Sequence, residues 1–392
     1  MNPVSFPAIR RRLSAICIAA ICAAIFACGG GSNGGNTSTG GGGTGGSTTS
    51  TPDEVLYVAS GDNGQGEILA FPVTSSSGTL GSSTSFDAPQ YLYQMTPDPA
   101  GKFLYASDFD NGAMRVYSIQ ASTGALSEVS GSPFVPPVTP GNAGPFAITP
   151  DGKFLFYAVY NITGDIVTFS AASGTLTPTG AVAHDDGQPF QMAVEPSGKF
   201  LYVTNHGDNM VNGQISVFSI DSTGALTEIA GSPFDFQSDN NEEPNGLAIH
   251  PSGKFVYLAL TNANAGIDAA TINATTGALT LITGSPFVPG SSLTSGYMAM
   301  NPSGTMLYVT GNGVAQAIAI DPSTGKLTPL DTLNTQPPVQ IVVDTAGKNL
   351  LGSIAPSKSV ASYPIDATGN AGAPTLYPAG VDPGALTIVK LQ

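Results

Sequence analysis

Three histidines and a scatter of acids are the residues of this chain with chemistry to offer. His206 stands in "TNHGDN", two residues before Asp208. A histidine beside a carboxylate can take a proton from water while the acid fixes its orientation. That reading and a plain solvated loop histidine both remain open for His206. His184 opens "HDDGQ" and is followed by Asp185 and Asp186. Asp108 and Asp110 in "SDFDNG", with Asp239, Glu242 and Glu243 in "SDNNEEPNG", extend the acidic set and are read as a binding rim. His250 precedes Pro251 and is read as structural. The "DFDNG" run invites calcium, but its glycine comes one residue too early for an EF-hand loop, and Asp, Asn and Gly favour turns in any case. No metal and no other cofactor is expected.

The charge balance narrows the partners. The basic start "MNPVSFPAIRRR", an apolar run from Leu13 to Phe26 and a cysteine at position 28 read as a secretion signal, too short to span a membrane as a helix. Without residues 1–28 the chain keeps nine basic residues against 27 acidic ones. Such a surface repels nucleic acid and anionic headgroups. All three cysteines fall in the signal, so no disulfide staples the remainder. Residues 29–53 are almost wholly Gly, Ser, Thr and Asn and read as a flexible tether.

The elements that must position the acids and histidines come from a repeat. "PDGKFLFYAVYN", "PSGKFLYVTN", "PSGKFVYLALTN" and "PSGTMLYVTGNG" are one phrase rewritten. Its turn glycine recurs at Gly101, Gly152, Gly198, Gly253, Gly304 and Gly347, and "EVLYVAS" at 54–60 is a further copy without the turn. Seven copies of about 48 residues indicate a closed or stacked repeat array. Each copy reads as four short strands; around Lys199 they are 188–195, 199–205, 213–220 and 225–231. The expected fold is all-β: a seven-bladed β-propeller of four-stranded antiparallel blades over residues 54–392. The absence of Trp excludes the Trp-Asp repeat variety. The first copy lacks its first strand, and "PGALTIVKL" at 383–391 supplies it, so the C-terminal strand is expected to pair beside 54–60 and close the ring.

Strand parity sorts the loops. The short "PSGK" and "STGAL" turns share one face, and the variable second-to-third loops and blade-to-blade links share the other. His184, His206 and the acids fall on the variable face, where function concentrates over a rigid scaffold. His206 and His184 are expected in one blade. The fourth strand often ends in "GSPF", whose proline suits an exposed edge.

These residues resemble known families. "P-S/D-G-K-F-L-Y-V" followed by "TGAL" resembles the seven-bladed propeller lactonases, including the propeller type of 6-phosphogluconolactonase, and "LYVTN" at 201–205 is similar to the YVTN repeat of surface-layer-like propellers. "IFAC" ending at Cys28 resembles a bacterial lipobox, which implies a lipid on Cys28 and a body held at the cell envelope, touching the membrane only through that lipid. The lactonase resemblance implies a hydrolase with no cofactor, opening a lactone with His206 or His184 as base and Asp208 as orienting acid. Two departures accompany it. Where relatives carry Pro-His-x-His this chain reads "QPFQ" (188–191), and where they carry Asn-Arg-Gly-His it reads "GNGVA" (311–315). Beyond the signal there is one arginine, Arg115. A dianionic phosphosugar needs cationic hosts, so a small neutral molecule is the expected ligand. The other reading is a non-catalytic, monomeric surface propeller that binds a protein or glycan.

Overall fold

The computed structural model describes residues 52–62, 65–161, 164–185, 188–206, 214–235, 243–261, 266–287, 297–311, 314–333 and 338–392. The signal, Cys28 and all but the last two residues of the tether lie outside them, as do Asp186, Asp208, Asp239 and Glu242.

The described residues form seven antiparallel sheets. Blade 1 joins β1 (Glu54–Asp62), β2 (Gln65–Thr74) and β3 (Thr79–Leu80), with β4 (Thr84–Ala88) continuing along β2. Blade 2 runs from β5 (Leu92–Pro97) through β6 (Phe103–Asp108) and β7 (Ala113–Ile119) to β8 (Leu126–Glu128). Blade 3 is β9 (Asn142–Ile148), β10 (Phe154–Tyr160), β11 (Asp165–Ser170) and β12 (Thr177–His184). Blade 4 is β13 (Gln188–Val194), β14 (Phe200–His206), β15 (Gln214–Ile220) and β16 (Leu226–Glu228). Blade 5 is β17 (Glu243–Ile249), β18 (Phe255–Thr261), β19 (Ile267–Ile272) and β20 (Leu279–Leu281). Blade 6 is β21 (Met298–Met300), β22 (Met306–Gly311), β23 (Val314–Ile320) and β24 (Leu327–Leu333). Blade 7 is β25 (Ile341–Val343), β26 (Asn349–Ile354), β27 (Ser359–Pro364) and β28 (Thr375–Pro378).

The last strand, β29 (Pro383–Lys390), completes blade 1. It lies antiparallel to β1, with Glu54 opposite Lys390 and Leu56 opposite Ile388. The Leu391 N–H donates to the Asp53 carbonyl at 2.9 Å. The first strands touch one another in a closed circuit, β29–β5–β9–β13–β17–β21–β25 and back to β29. The chain is therefore a seven-bladed β-propeller closed by its C-terminal strand.

The second strands are apolar on both faces because each faces two neighbouring blades. In β14, Tyr202 faces a core shared with blade 5, while Leu201 and Val203 face a core shared with blade 3. Seven such cores alternate with the seven blades.

A repeated latch sets the blades against each other. The tyrosine of "FLYV" donates its hydroxyl to a carbonyl in the next blade's third-to-fourth turn. Tyr57 reaches Gly124 (2.6 Å), Tyr202 reaches Gly277 (3.0 Å), Tyr257 reaches Gly325 (3.2 Å) and Tyr308 reaches Gly369 (2.9 Å). Tyr105 makes the same reach to Ala171 at 3.1 Å. The glycine is required twice over: Gly277 has φ +75°, and a Cβ there would sit 2.5 Å from the Phe200 ring. Two seams differ. Between blades 3 and 4 the place of the tyrosine is taken by Phe156, and Thr168 donates to the Gly224 carbonyl at 3.0 Å. Between blades 7 and 1 it is taken by Leu351. The neighbouring Tyr157 faces the seam with blade 2, where its buried hydroxyl has no partner.

The "GSPF" segments do more than blunt an edge. Phe134, Phe234 and Phe287 bridge back to the third strands at Met114, Ile215 and Ile267. The serine of each segment accepts a third-strand N–H, from Val116, Val217 and Ala269. The short fourth strand is thereby prolonged along its neighbour.

Candidate functional site

First strands begin, and second strands end, on the variable face. His206 is the last residue of β14, opposite Gln188 at the start of β13. Its backbone therefore places it on the variable face of blade 4. Glu243 opens β17 opposite Thr261, on the same face of blade 5. The side chains of both lie outside the described atoms.

His184 is not in that blade. It ends β12, the outermost strand of blade 3, and pairs with Asp165. The sequence places it just before the first strand of blade 4, but the preceding blade's fourth strand runs eight residues and absorbs it. Its ring is 64% exposed, and its Nδ1 lies 2.7 Å from Asp165 Oδ1. The other Asp165 oxygen accepts from Asn161 Nδ2 at 2.8 Å. The two histidines thus share a face but not a blade.

Two of the described acids, Asp108 and Asp185, are held by the side chains around them. Asp108 is buried and accepts Arg115 Nε at 3.0 Å and Asn111 Nδ2 at 2.9 Å. Arg115 also reaches Glu128 at 3.0 Å. Asp185 is buried against Asn205 Nδ2 (2.9 Å) and the Ser216 hydroxyl (3.3 Å). Asp110 is exposed in the turn. Among the described residues no three His, Cys, Asp or Glu side chains come together as metal ligands.

His250 is buried away from this face. Its Nε2 lies 3.0 Å from the Gly304 carbonyl of the next blade, and the Ser252 N–H donates to its Nδ1 at 3.1 Å. That pattern fits a neutral ring with the proton on Nε2. Burial lowers its pKa below the usual histidine value.

The centre of the variable face belongs to residues that ionisable-group reasoning passes over. Tyr93, near the start of β5, donates to the Phe190 carbonyl in blade 4 at 2.8 Å. Tyr160, at the end of β10, donates to the Tyr93 oxygen at 3.2 Å. Phe109 stacks on Tyr93 with centroids 6.2 Å apart. The Tyr93 bond joins blade 2 to blade 4 past blade 3, so this side chain reaches inward toward the axis. Tyr297, just before β21 in blade 6, adds to the upward push on the pKa of both phenols. Burial, then the neighbouring phenols, push the Tyr93 hydroxyl well above its ordinary pKa; burial does the same to Tyr160.

Glutamines clasp the first strands just below. Gln94 Nε2 donates to the Phe146 carbonyl and its Oε1 accepts the Phe146 N–H, both at 3.0 Å. Gln191 Oε1 accepts the Leu247 N–H at 2.8 Å. Gln191 ends the "QPFQ" stretch that stands where the lactonase resemblance implies Pro-His-x-His. The signal for this ring was present in "YQM" (93–95) and "FQM" (190–192), an aromatic and a glutamine in register in blades 2 and 4.

Charge is distributed by face. Of the eight lysines, Lys102, Lys153, Lys199, Lys254, Lys326, Lys348 and Lys390 lie at the uniform-turn end, and Lys358, between β26 and β27, lies at the variable end. Arg115 is committed to Asp108 and Glu128.

Comparisons with known proteins agree with this architecture. Residues 94–295 match the family model "Lactonase, 7-bladed beta-propeller". A 6-phosphogluconolactonase of Formosa agariphila is 32% identical over 130 residues, covering 31% of this chain and 34% of that protein. The "Probable 6-phosphogluconolactonase" of Arthroderma benhamiae is 28% identical over 189 residues, 45% of this chain and 46% of that protein. The matched segments thus span less than half of either curated relative. The periplasmic gluconolactonase of Pseudomonas aeruginosa has the same fold, with a TM-score of 0.71 at 15% identity, covering 86% of this chain and 99% of that one. With its repeats, its closed ring and a family match over half its length, this chain belongs to the lactonase family of seven-bladed β-propellers.

Proposed function

We propose that the protein is exported, held at the cell envelope by a lipid on Cys28, and hydrolyses an uncharged lactone at the variable-face mouth of the propeller. Family membership supports the reaction class. The signal, the Cys28 pattern and the tether support the location. The observation that carries the substrate charge is the commitment of Arg115 to Asp108 and Glu128, with seven of eight lysines at the far end. A phosphosugar lactone would meet an acidic mouth with Lys358 as its one lysine.

In this reading His206 is the general base. Water adds to the lactone carbonyl as His206 takes its proton. The ring C–O bond then breaks, and the leaving oxygen takes the proton back, giving a hydroxy acid. His184 is a peripheral residue whose ring is held by Asp165. The test is a panel of uncharged lactones offered to the full chain and to His206→Ala and His184→Ala. Turnover lost in the first variant and kept in the second is the expected result. Equal turnover in all three ends the role of His206.

A second reading has its own observation. The "QPFQ" stretch holds no histidine and its Gln191 is spent on the Leu247 N–H, while Tyr93 and Tyr160 bond to each other. That arrangement favours a non-catalytic propeller that binds a glycan or protein. No turnover on any lactone, together with retained ligand binding, would establish it.

A further inference from the structure

We propose that the uniform-turn end of the propeller is the face turned toward an anionic lipid surface, so that the body stands with its mouth directed away from the membrane. The inference rests on the lipid anchor of the reading above and deepens it by naming the end that meets the bilayer.

Three observations lead there. The first is where the chain enters the body. β1 opens at Glu54 opposite Lys390, and the Asp53 carbonyl accepts the Leu391 N–H at 2.9 Å. Gln392 then donates its side-chain amide to the Ala100 carbonyl of blade 2, in the turn that holds Lys102. The chain therefore enters the propeller at the uniform-turn end, among its lysines.

The second is the way the turns sort their charges. In three of them the leading acid folds inward. Asp98 accepts the Lys102 N–H at 2.6 Å, Glu195 the Lys199 N–H at 2.9 Å and Asp344 the Lys348 N–H at 2.7 Å. Glu195 and Asp344 are buried, as is Glu54 at the ring closure. In a fourth turn Asp151 stays exposed and pairs with Lys153 at 2.8 Å. All seven lysines of this end are exposed. Asp53, Asp151, Asp221, Asp321 and Asp366 are the exposed acids beside them.

The third is the contrast along the axis. Nine of the 27 acids lie at the uniform-turn end, so its charge is close to balanced even with the buried ones counted. Most of the others lie at the variable end, where Lys358 is the one lysine. Asp87, Asp110, Asp235 and Asp382 are exposed there. The propeller is therefore a dipole along its axis, acidic at the mouth. A negatively charged surface repels the mouth and accepts the other end. The field of such a surface fades over about 10 Å at 0.1 M salt, so it acts on the end that the anchor already brings close.

The lysines themselves report the orientation. The full chain with Cys17→Ser and Cys22→Ser is coupled through Cys28 to a maleimide-bearing lipid. The vesicles are of phosphatidylglycerol with phosphatidylcholine, or of phosphatidylcholine alone. A water-soluble amine reagent at single-hit dose, read by mass spectrometry, gives the reactivity of each lysine. On the anionic vesicles Lys102, Lys199, Lys254 and Lys348 should react about threefold more slowly than in the same chain free of vesicles, while Lys358 keeps its rate. That protection should fade on phosphatidylcholine alone. Lys199→Glu with Lys254→Glu should abolish the protection of the remaining lysines. Both residues are exposed in turns, and melting curves check that the double variant folds. Protection of Lys358, equal reactivity at both ends, or protection unchanged by the lipid or by the double variant would overturn the proposal. Coupling is chemical, so the result does not depend on what the cell does to Cys28; the mass of the native Cys28 peptide tests that separately. A native chain without lipid removes the anchor and keeps the orienting face. A lipid-bearing chain whose two ends react alike does the reverse.

Discussion

At the uniform-turn end of the propeller, Tyr202 lays its hydroxyl on the Gly277 carbonyl while Phe200 covers the same glycine. At the other end, Tyr160 and Tyr93 bond to each other. The residue type is the same and its use is opposite. The first kind of tyrosine repeats at Tyr57, Tyr105, Tyr257 and Tyr308, always spanning one seam between adjacent blades. The second kind pairs Tyr93 of blade 2 with Tyr160 of blade 3, and in blade 4 the place of Tyr93 is taken by Phe190. Repetition therefore marks the residues that build the ring. The break in repetition marks the face on which the proposed site lies.

The strongest way to break the comparison is to open the ring. Deleting residues 383–392 removes β29, whose Leu386 and Val389 are buried, and strips β1 of a hydrogen-bonded neighbour. The truncated chain should lose its cooperative melt or melt far below the intact one. An unchanged melting temperature would show that the seams hold without closure.

A smaller effect sets a latch hydroxyl against a buried hydroxyl that latches nothing. Tyr202→Phe removes a hydroxyl that donates across a seam and should cost about 1 kcal/mol. Tyr157→Phe removes a buried hydroxyl with no partner and should be neutral or stabilising. Denaturant unfolding of the two variants side by side reads the difference. Equal costs would mean that the repeated tyrosines act through their rings alone.

The smallest effect is a pH dependence at the uniform-turn end. His250 has a folded-state pKa below its unfolded value, because burial disfavours the cation. Protonation would also put a hydrogen on Nδ1, which now accepts the Ser252 N–H. Stability from this group is present above the unfolded pKa, near 6.5, and is lost as pH falls through the lower folded value. Melting temperature should decline below about pH 6.5, and His250→Gln should flatten that part of the decline. An identical profile in the variant would remove His250 from the account.

The ring was legible in the sequence because its physics is local and repeated. "PSGK" and "STGAL" encode turns, "FLYV" encodes a strand buried on both faces, and their spacing encodes the blade. Closure was legible too, from the missing first strand and the matching "PGALTIVKL" at the far end. The site was less so. Acids and histidines drew attention because they ionise, yet Asp108 and Asp185 are buried inside blade networks. His184 followed a long fourth strand into blade 3, a boundary that depends on how far β12 runs beside β11. Tyr93 and Tyr160 meet across the adjacent blades 2 and 3, at strand ends where the repeated phrase gives way to residues of each blade's own. Charge sorting by face followed from strand parity alone.

The measurement that bears most directly on the proposed activity is kcat/KM of the full chain for D-glucono-1,5-lactone set against its 6-phosphate. The account predicts hydrolysis of the uncharged lactone, favoured by more than tenfold, and its loss in His206→Ala. Preference for the phosphorylated lactone, or hydrolysis of neither, would contradict it.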